Sequence, residues 1–389
     1  MKKIFALFLS AITLMSTAVA ITGCSDGSES SDAENFEPQE FYFASDDDGK
    51  TCVIKGYNGT LVTDTNLVLP DKSPEGYTVT GIGENAFHDA TALTGITIPD
   101  GVTYIGERAF EGCTALTEVT IPDSVSDIAS YAFMDCTALE SITLPDSLTR
   151  ISSSAFRGCT ALKSITVPNN VTSIEDGAFT DCTSLKSLTV SASVTSLTWS
   201  AFENCGALTD ITVASDNTVY RSVDNCLIET ATKTLLIGGN TAKIPADSSV
   251  TTIGNAAFEG RASLTEITIP DGVVNIDNSA FSGCTALQSI TIPDGVTRIG
   301  NGAFAECTSL TGVTIPDSVT VLEMLAFGDC SSLSNVTIQS TEITIERDVF
   351  FNCSSLGSIT FNGTMNDWNS ATEDEEWEFV IHCVDGDIR

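Results

Sequence analysis

Along residues 116–136 the apolar side chains fall at Leu116, Val119, Ile121, Val125, Ile128, Ala132, Phe133 and Cys136, with mostly polar or small residues between them. The triplet Val119-Thr120-Ile121 alternates with a period of two, which puts two side chains inward and one outward, as on a half-buried strand. Pro122 ends that strand, since it has no amide to give to a ladder. A second alternating run from Val125 to Ile128 predicts another extended segment, and Ser130 to Asp135 reads as one helical or 3-10 turn. The pattern returns every 23 residues, its register marked by Phe87, Phe110, Phe133, Phe156, Phe179 and Phe202, then by Phe258, Phe281, Phe304, Phe327 and Phe350.

One such unit buries too little apolar surface to offset the conformational entropy lost by ordering it. Stacking supplies the missing burial and the missing backbone partners, with consecutive strands pairing in parallel about 4.8 Å apart. The expected fold class is therefore a strand-dominated α/β repeat solenoid built of 23-residue coils. Repetition overrides the length prior as well, because a stacked array of 389 residues grows without splitting into separate domains.

The motif Leu-x-x-Ile-x-Ile-Pro followed by Val-x-x-Ile-Gly-x-x-Ala-Phe-x-x-Cys resembles the BspA-like bacterial leucine-rich repeat over residues 80–361. That resemblance implies a right-handed superhelix with the Ile-Thr-Ile strands on its concave face. It also implies surface proteins that bind host or matrix proteins.

The chain divides into a lipoprotein signal peptide at 1–23, an acidic flexible tether at 24–40, a first cap at 41–79, repeats at 80–213, an irregular stretch at 214–249, repeats at 250–361 and a last cap at 362–389. At the start, Met1-Lys2-Lys3 precedes an apolar run ending in Ile21-Thr22-Gly23-Cys24, an order expected of an export signal. The tetrapeptide resembles the lipobox of bacterial lipoproteins, which implies cleavage before Cys24 and lipid on its sulfur, hence a membrane anchor. A plain secretory signal and an uncleaved membrane helix are the alternatives. In the irregular stretch, Tyr220–Val223, Cys226–Ile228 and Leu235–Ile237 are strand-like and Asp224-Asn225 is a turn, so a degenerate coil plus a hairpin is expected. It either adjusts curvature or forms a ledge that makes ligand binding asymmetric. In the last cap, Trp368 and Trp377 are expected to cover the final rung and Val380-Ile381-His382-Cys383 to end it.

A net charge of −35 repels phosphate backbones and excludes nucleic acid as a partner. The same charge also serves solubility in an exported chain. Nine cysteines, Cys113, Cys136, Cys159, Cys182, Cys205, Cys284, Cys307, Cys330 and Cys353, each follow a marker phenylalanine by three residues. Ladder neighbours point the same way about 4.8 Å apart, which is poor geometry for a disulfide, so buried free thiols are expected. With His88 and His382 the only histidines and no Cys-x-x-Cys pair, neither a zinc site nor a catalytic triad can be assembled, so no enzyme activity and no cofactor are expected.

The outward strand residue is threonine in all eleven coils: Thr97, Thr120, Thr143, Thr166, Thr189, Thr212, Thr268, Thr291, Thr314, Thr337 and Thr360. Threonine suits a half-exposed strand and pairs with itself across a ladder, which is one explanation. The other is a hydroxyl-rich strip, joined by Glu118, Asp210 and Glu266, onto which an extended protein or a glycan lies. Asp100, Asp123, Asp146, Asp271, Asp294 and Asp317 follow the strand prolines and are expected to cap turns, with calcium or a basic partner as the alternative. The leading expectation is a monomeric, lipid-anchored surface protein that binds a host, matrix or envelope protein through this strip. An envelope scaffold without external ligand and a glycan-binding or glycan-active protein are the alternatives.

Overall fold

Two sets of parallel ladders, each broken into blocks, make up a strand-dominated solenoid of about 14 turns. The computed structural model describes residues 41–46, 49–57, 66–372 and 379–388; the expected signal peptide, Cys24, the tether and Trp377 lie outside the described residues. One ladder is made of the Ile-Thr-Ile segments. It pairs in register in three blocks: Gly95–Thr97 with Glu118–Thr120, Ser164–Thr166 with Ser187–Val190 and Asp210–Val213, and Gly312–Ile315 with Asn335–Ile338 and Ser358–Phe361. The other consists of two-residue strands such as Tyr104–Ile105 on Asp127–Ile128 and Asn275–Ile276 on Arg298–Ile299. Every repeat partner is one coil away, which is why the period is so strictly kept.

Between the ladders the marker phenylalanines form two columns of stacked rings. Centroids in the second column are 4.9 Å apart from Phe258 to Phe281 and 5.8 Å from Phe327 to Phe350, with near-parallel planes throughout. Tyr57 continues the first column beyond Phe87 at 5.2 Å. Each ring is sandwiched by copies of itself, so removing one would leave a hole costing ~3–5 kcal/mol.

The segment expected to be a helical turn is something else. Tyr131 and Asp135 have φ of 62° and 56°, and Asn85, Asp89 and Arg108 repeat the feature in neighbouring coils. Left-handed residues interrupt any helix, so the corner is a chain of tight turns closed by bonds such as Cys136 N to Phe133 O at 3.3 Å. Among the described residues helix is confined to the 3-10 turn Trp199–Phe202 and the α-helix Met365–Ala371. Each ladder cysteine donates its S–H to the carbonyl of the phenylalanine one coil back, for instance Cys159 Sγ to Phe133 O at 3.2 Å. Twelve described cysteines are free, all buried except the half-buried Cys383. Burial pushes the Cys159 thiol up to about 12, so it is inert as a nucleophile.

At the ends, Phe41–Ser45 and Thr51–Tyr57 form an antiparallel hairpin, and Val380–Cys383 adds a parallel rung to Ser358–Phe361. The helix Met365–Ala371, started by a reciprocal Thr364–Asp367 capping box, buries Trp368 against Phe361.

The irregular stretch contains three antiparallel strands, Tyr220–Val223, Cys226–Glu229 and Thr234–Gly238, the last pairing in parallel with Thr252–Ile253. It divides the core. Leu227 and Ile237 pack into the cluster on one side, whereas Cys226, Ile228 and Leu235 pack into the cluster on the other. Gly238 takes the place of a phenylalanine: its amide donates to Ala257 O at 2.8 Å just as Phe258 N donates to Ala280 O at 2.7 Å. A Cβ there would lie 2.0 Å from the Phe258 ring, so that ring occupies the space of the missing one. Arg261 replaces the ladder cysteine of this coil. It is 1% exposed and its guanidinium donates to Gly238 O at 2.7 Å, Cys205 O at 2.9 Å and Glu259 O at 2.8 Å, tying the two halves together.

Beside Arg261, Glu259 packs next to Glu203, with Asp181 behind, and its Oε2 is buried without a hydrogen-bond partner. Burial first, then the Glu203 charge, push the Glu259 carboxyl up to about 7 against the pull of Arg261. Above its ordinary value of 4.5 the unfolded chain has released this proton while the folded protein still holds it. The contribution of Glu259 to stability therefore falls as pH rises through that interval and levels off once the folded group has also ionised. Melting of Glu259→Gln beside the parent protein tests this. The variant should gain on the parent from pH 5 to 8 by on the order of 1 kcal/mol after solvent screening, and parallel pH profiles would contradict the pairing.

Candidate functional site

The eleven sequence-predicted threonines share one face. Thr97 pairs with Thr120, Thr166 with Thr189 and Thr212, and Thr314 with Thr337 and Thr360, each directly across from the next, and His382 continues the last column. Ten are exposed and Thr337 is half-buried. Thr143, Thr268 and Thr291 keep the outward orientation, but their segments are extended without ladder pairing, so the sheet is interrupted where a continuous one was expected.

The hydroxyls of this column differ from those that lie just before the strand. Just before the strand, side chains bond back to the previous coil: Thr117 Oγ1 donates to Thr94 O at 2.9 Å and Ser334 Oγ to Thr311 O at 3.2 Å. Among the described residues none of the eleven outward hydroxyls has a hydrogen-bond partner in the protein, and they do not bond to one another. Self-pairing therefore does not account for the column. It offers a row of donors and acceptors to a ligand, with backbone rungs holding them at a regular spacing.

Glu118, Asp210 and Glu266 are exposed beside this column. Glu118 follows Gly95 in the ladder, and Asp210 pairs with Ser187 and accepts from Thr209 Oγ1 at 3.1 Å. The six aspartates after the strand prolines are also exposed, but their carboxylates accept no hydrogen bond among the described residues. Turn capping by them is thus corrected: the turn closes on the proline carbonyl, as Val125 N to Pro122 O at 3.0 Å, which leaves the carboxylates to solvent. Among the described residues no three histidine, cysteine or acidic side chains are grouped to hold a metal ion. His88 faces Asp89 at 3.2 Å and Glu111 at 3.9 Å, and His382 faces Asp387 at 2.9 Å.

One member of the face escaped the sequence reading. Ala242-Lys243-Ile244-Pro245 repeats the buried-exposed-buried alternation and the closing proline of Ile-Thr-Ile-Pro, so Lys243 holds the outward place between Thr212 and Thr268. Aligning on Pro245 rather than on a phenylalanine would have found it. A groove of about 510 Å³ opens here, lined by Thr241, Lys243, Ser263, Thr265, Glu266 and Thr268 among others. On the insert side its lining residue Thr241 is held by the Asp224-Asn225 turn. Asn225 bonds Thr241 Oγ1 at 2.9 Å and, with Ser222, accepts from the Ile211 and Val213 amides, which closes the free edge of Asp210–Val213. A second groove of about 460 Å³ lies over Thr291, Thr314 and Thr337.

Comparison with known proteins fits this geometry. A leucine rich cell surface protein of Faecalibacterium prausnitzii is 31% identical, with 88% of this chain and 98% of that one covered and a TM-score of 0.70. The pneumococcal vaccine antigen PcpA, 21% identical, shares the fold with a TM-score of 0.66 over 88% of this chain and 98% of that one. A leucine-rich repeat protein of Eubacterium ventriosum, 23% identical, does so with a TM-score of 0.57 over 88% and 91%. No curated protein matches the chain. No helix among the described residues is long and apolar enough to cross a membrane. The BspA type leucine rich repeat profile matches residues 80–209 and 251–372, and with two thirds of its length so accounted for, the chain belongs to that family.

Proposed function

We propose that the protein is a lipid-anchored cell-surface binding protein that holds a macromolecular ligand, a protein, against its threonine face. The observation that carries this reading is the row of outward threonine hydroxyls left without partners, beside hydroxyls such as those of Thr117, Thr209 and Thr311 that donate to carbonyls of the coil behind. Repeats of this family and fold are typically binding scaffolds rather than enzymes. The relative in Faecalibacterium is described as a cell surface protein, which supports an exposed location. The Ile21-Thr22-Gly23-Cys24 sequence supports attachment through lipid on Cys24.

Thr166→Arg places a bulky cation in the middle of a paired block without touching the buried side of the strand. Binding to immobilised extracellular-matrix protein should fall about tenfold or more while the far-UV spectrum and melting stay those of the parent. Undiminished binding would move the site off this face, and binding to envelope proteins alone would favour a scaffold. For the anchor, Cys24→Ser expressed in the source cell should shift the protein from the membrane fraction to the soluble fraction or medium; unchanged membrane retention would contradict lipid attachment.

A further inference from the structure

We propose that the groove beside the insert is a subsite for an extended polypeptide segment in which an acidic side chain sits on Lys243 and a basic side chain two residues away sits against Glu266. This rests on reading the threonine face as the binding surface, and it adds the point at which that surface reads sequence. Lys243 stands where the other coils have threonine, is exposed, and forms no ion pair among the described residues. Glu266 on the next rung is likewise exposed and unpaired there. Opposite charges this near, each without a partner, are complementary to a ligand that carries both signs.

The spacing selects the ligand. Counted from Pro245 and Pro270, Lys243 is level with Thr268, and Glu266 lies two residues before that on the neighbouring rung. The two segments are not ladder-paired; at sheet spacing one rung of about 4.8 Å and two strand residues of about 6.6 Å make a diagonal of roughly 8 Å. Same-side residues of an extended peptide are about 6.8 Å apart, so an acid and a base with one residue between them span the two groups. Ala242, Ile244 and Ile267 provide an aliphatic floor, and Ser263, Thr265 and Thr268 provide hydroxyls for peptide amides and carbonyls. No aromatic ring lines the groove, so a sugar ring finds no flat apolar surface to stack on. The Asp224-Asn225 turn, whose residues adopt φ of 47° and 61°, holds the lining residue Thr241 through Asn225 at 2.9 Å. Asn240, in the groove lining, donates to Gly206 O at 2.7 Å but leaves its Oδ1 without a donor.

The test uses the full chain and a fluorescent peptide of about nine residues, made of valine and threonine with one glutamate and one lysine two positions apart, read by anisotropy at low salt. Saturable binding is expected, weakened about fivefold or more by Lys243→Thr, which installs the residue of the other coils, and by Glu266→Thr. A double exchange, Lys243→Glu with Glu266→Lys, should instead prefer the peptide with its charges reversed. Equal affinity of parent and Lys243→Thr, or no preference by the double exchange, would overturn the subsite, as would Lys243-dependent binding of an oligosaccharide in place of the peptide. If no peptide binds while Thr166→Arg still weakens matrix binding, the groove is wrong and the threonine face stands. If neither responds, both fall.

Discussion

No coil of this protein can hide its own apolar side chains. The phenylalanine rings at the turns are covered by the rings of the coils on either side, 4.9–5.8 Å away within the second column. The strands find backbone partners only one coil away. That mutual dependence fixes the rest: a period that does not drift, cysteines small enough for the corner, and caps at both ends. It also fixes what lies outside. A side chain pointing away from the stack is repeated at rung spacing whether or not anything binds it, so the state of its polar group matters more than its repetition.

Judged that way, the outward threonines differ from hydroxyls just before the strand. Thr117, Thr209, Thr311 and Ser334 are tied to carbonyls of the coil behind and stabilise the stack. Those in the outward column are tied to nothing in the described protein. The insert breaks the symmetry of this face by adding Lys243 and a groove at one place along it. It also breaks the ring column, where Gly238 makes room for Phe258 and Arg261 satisfies three carbonyls across the join. Among the described residues, Thr198, Arg221, Asn240, Ser249 and Glu259 each hold a buried polar atom without a hydrogen-bond partner, and all of them lie in or beside the insert. A local departure from the packing rules of the repeats is where a binding specialisation is expected.

The strand register, the ring column, the thiol column and the exposure of the threonines were legible in the sequence because each follows from a period of two inside a period of 23. The corner conformation was not. Arg108, Tyr131 and Leu325 adopt positive φ without the glycine or asparagine that usually marks it, so the turn chain was mistaken for a helical turn. The proline carbonyl, not the aspartate after it, closes the strand turn, because a backbone acceptor is already in place there. Lys243 was missed because its coil has no marker phenylalanine, and Glu259 because its shift depends on Glu203, which lies 56 residues earlier in the chain.

Thiol titration of the native protein tests the stacking most directly. With eleven described cysteines buried in the corner columns, the first cap and the insert and only Cys383 half-buried, a disulfide reagent should find one fast-reacting thiol among these twelve and reach the others only on unfolding. Several fast thiols in the native protein, or thiols missing after unfolding because they are joined in disulfides, would contradict the stack.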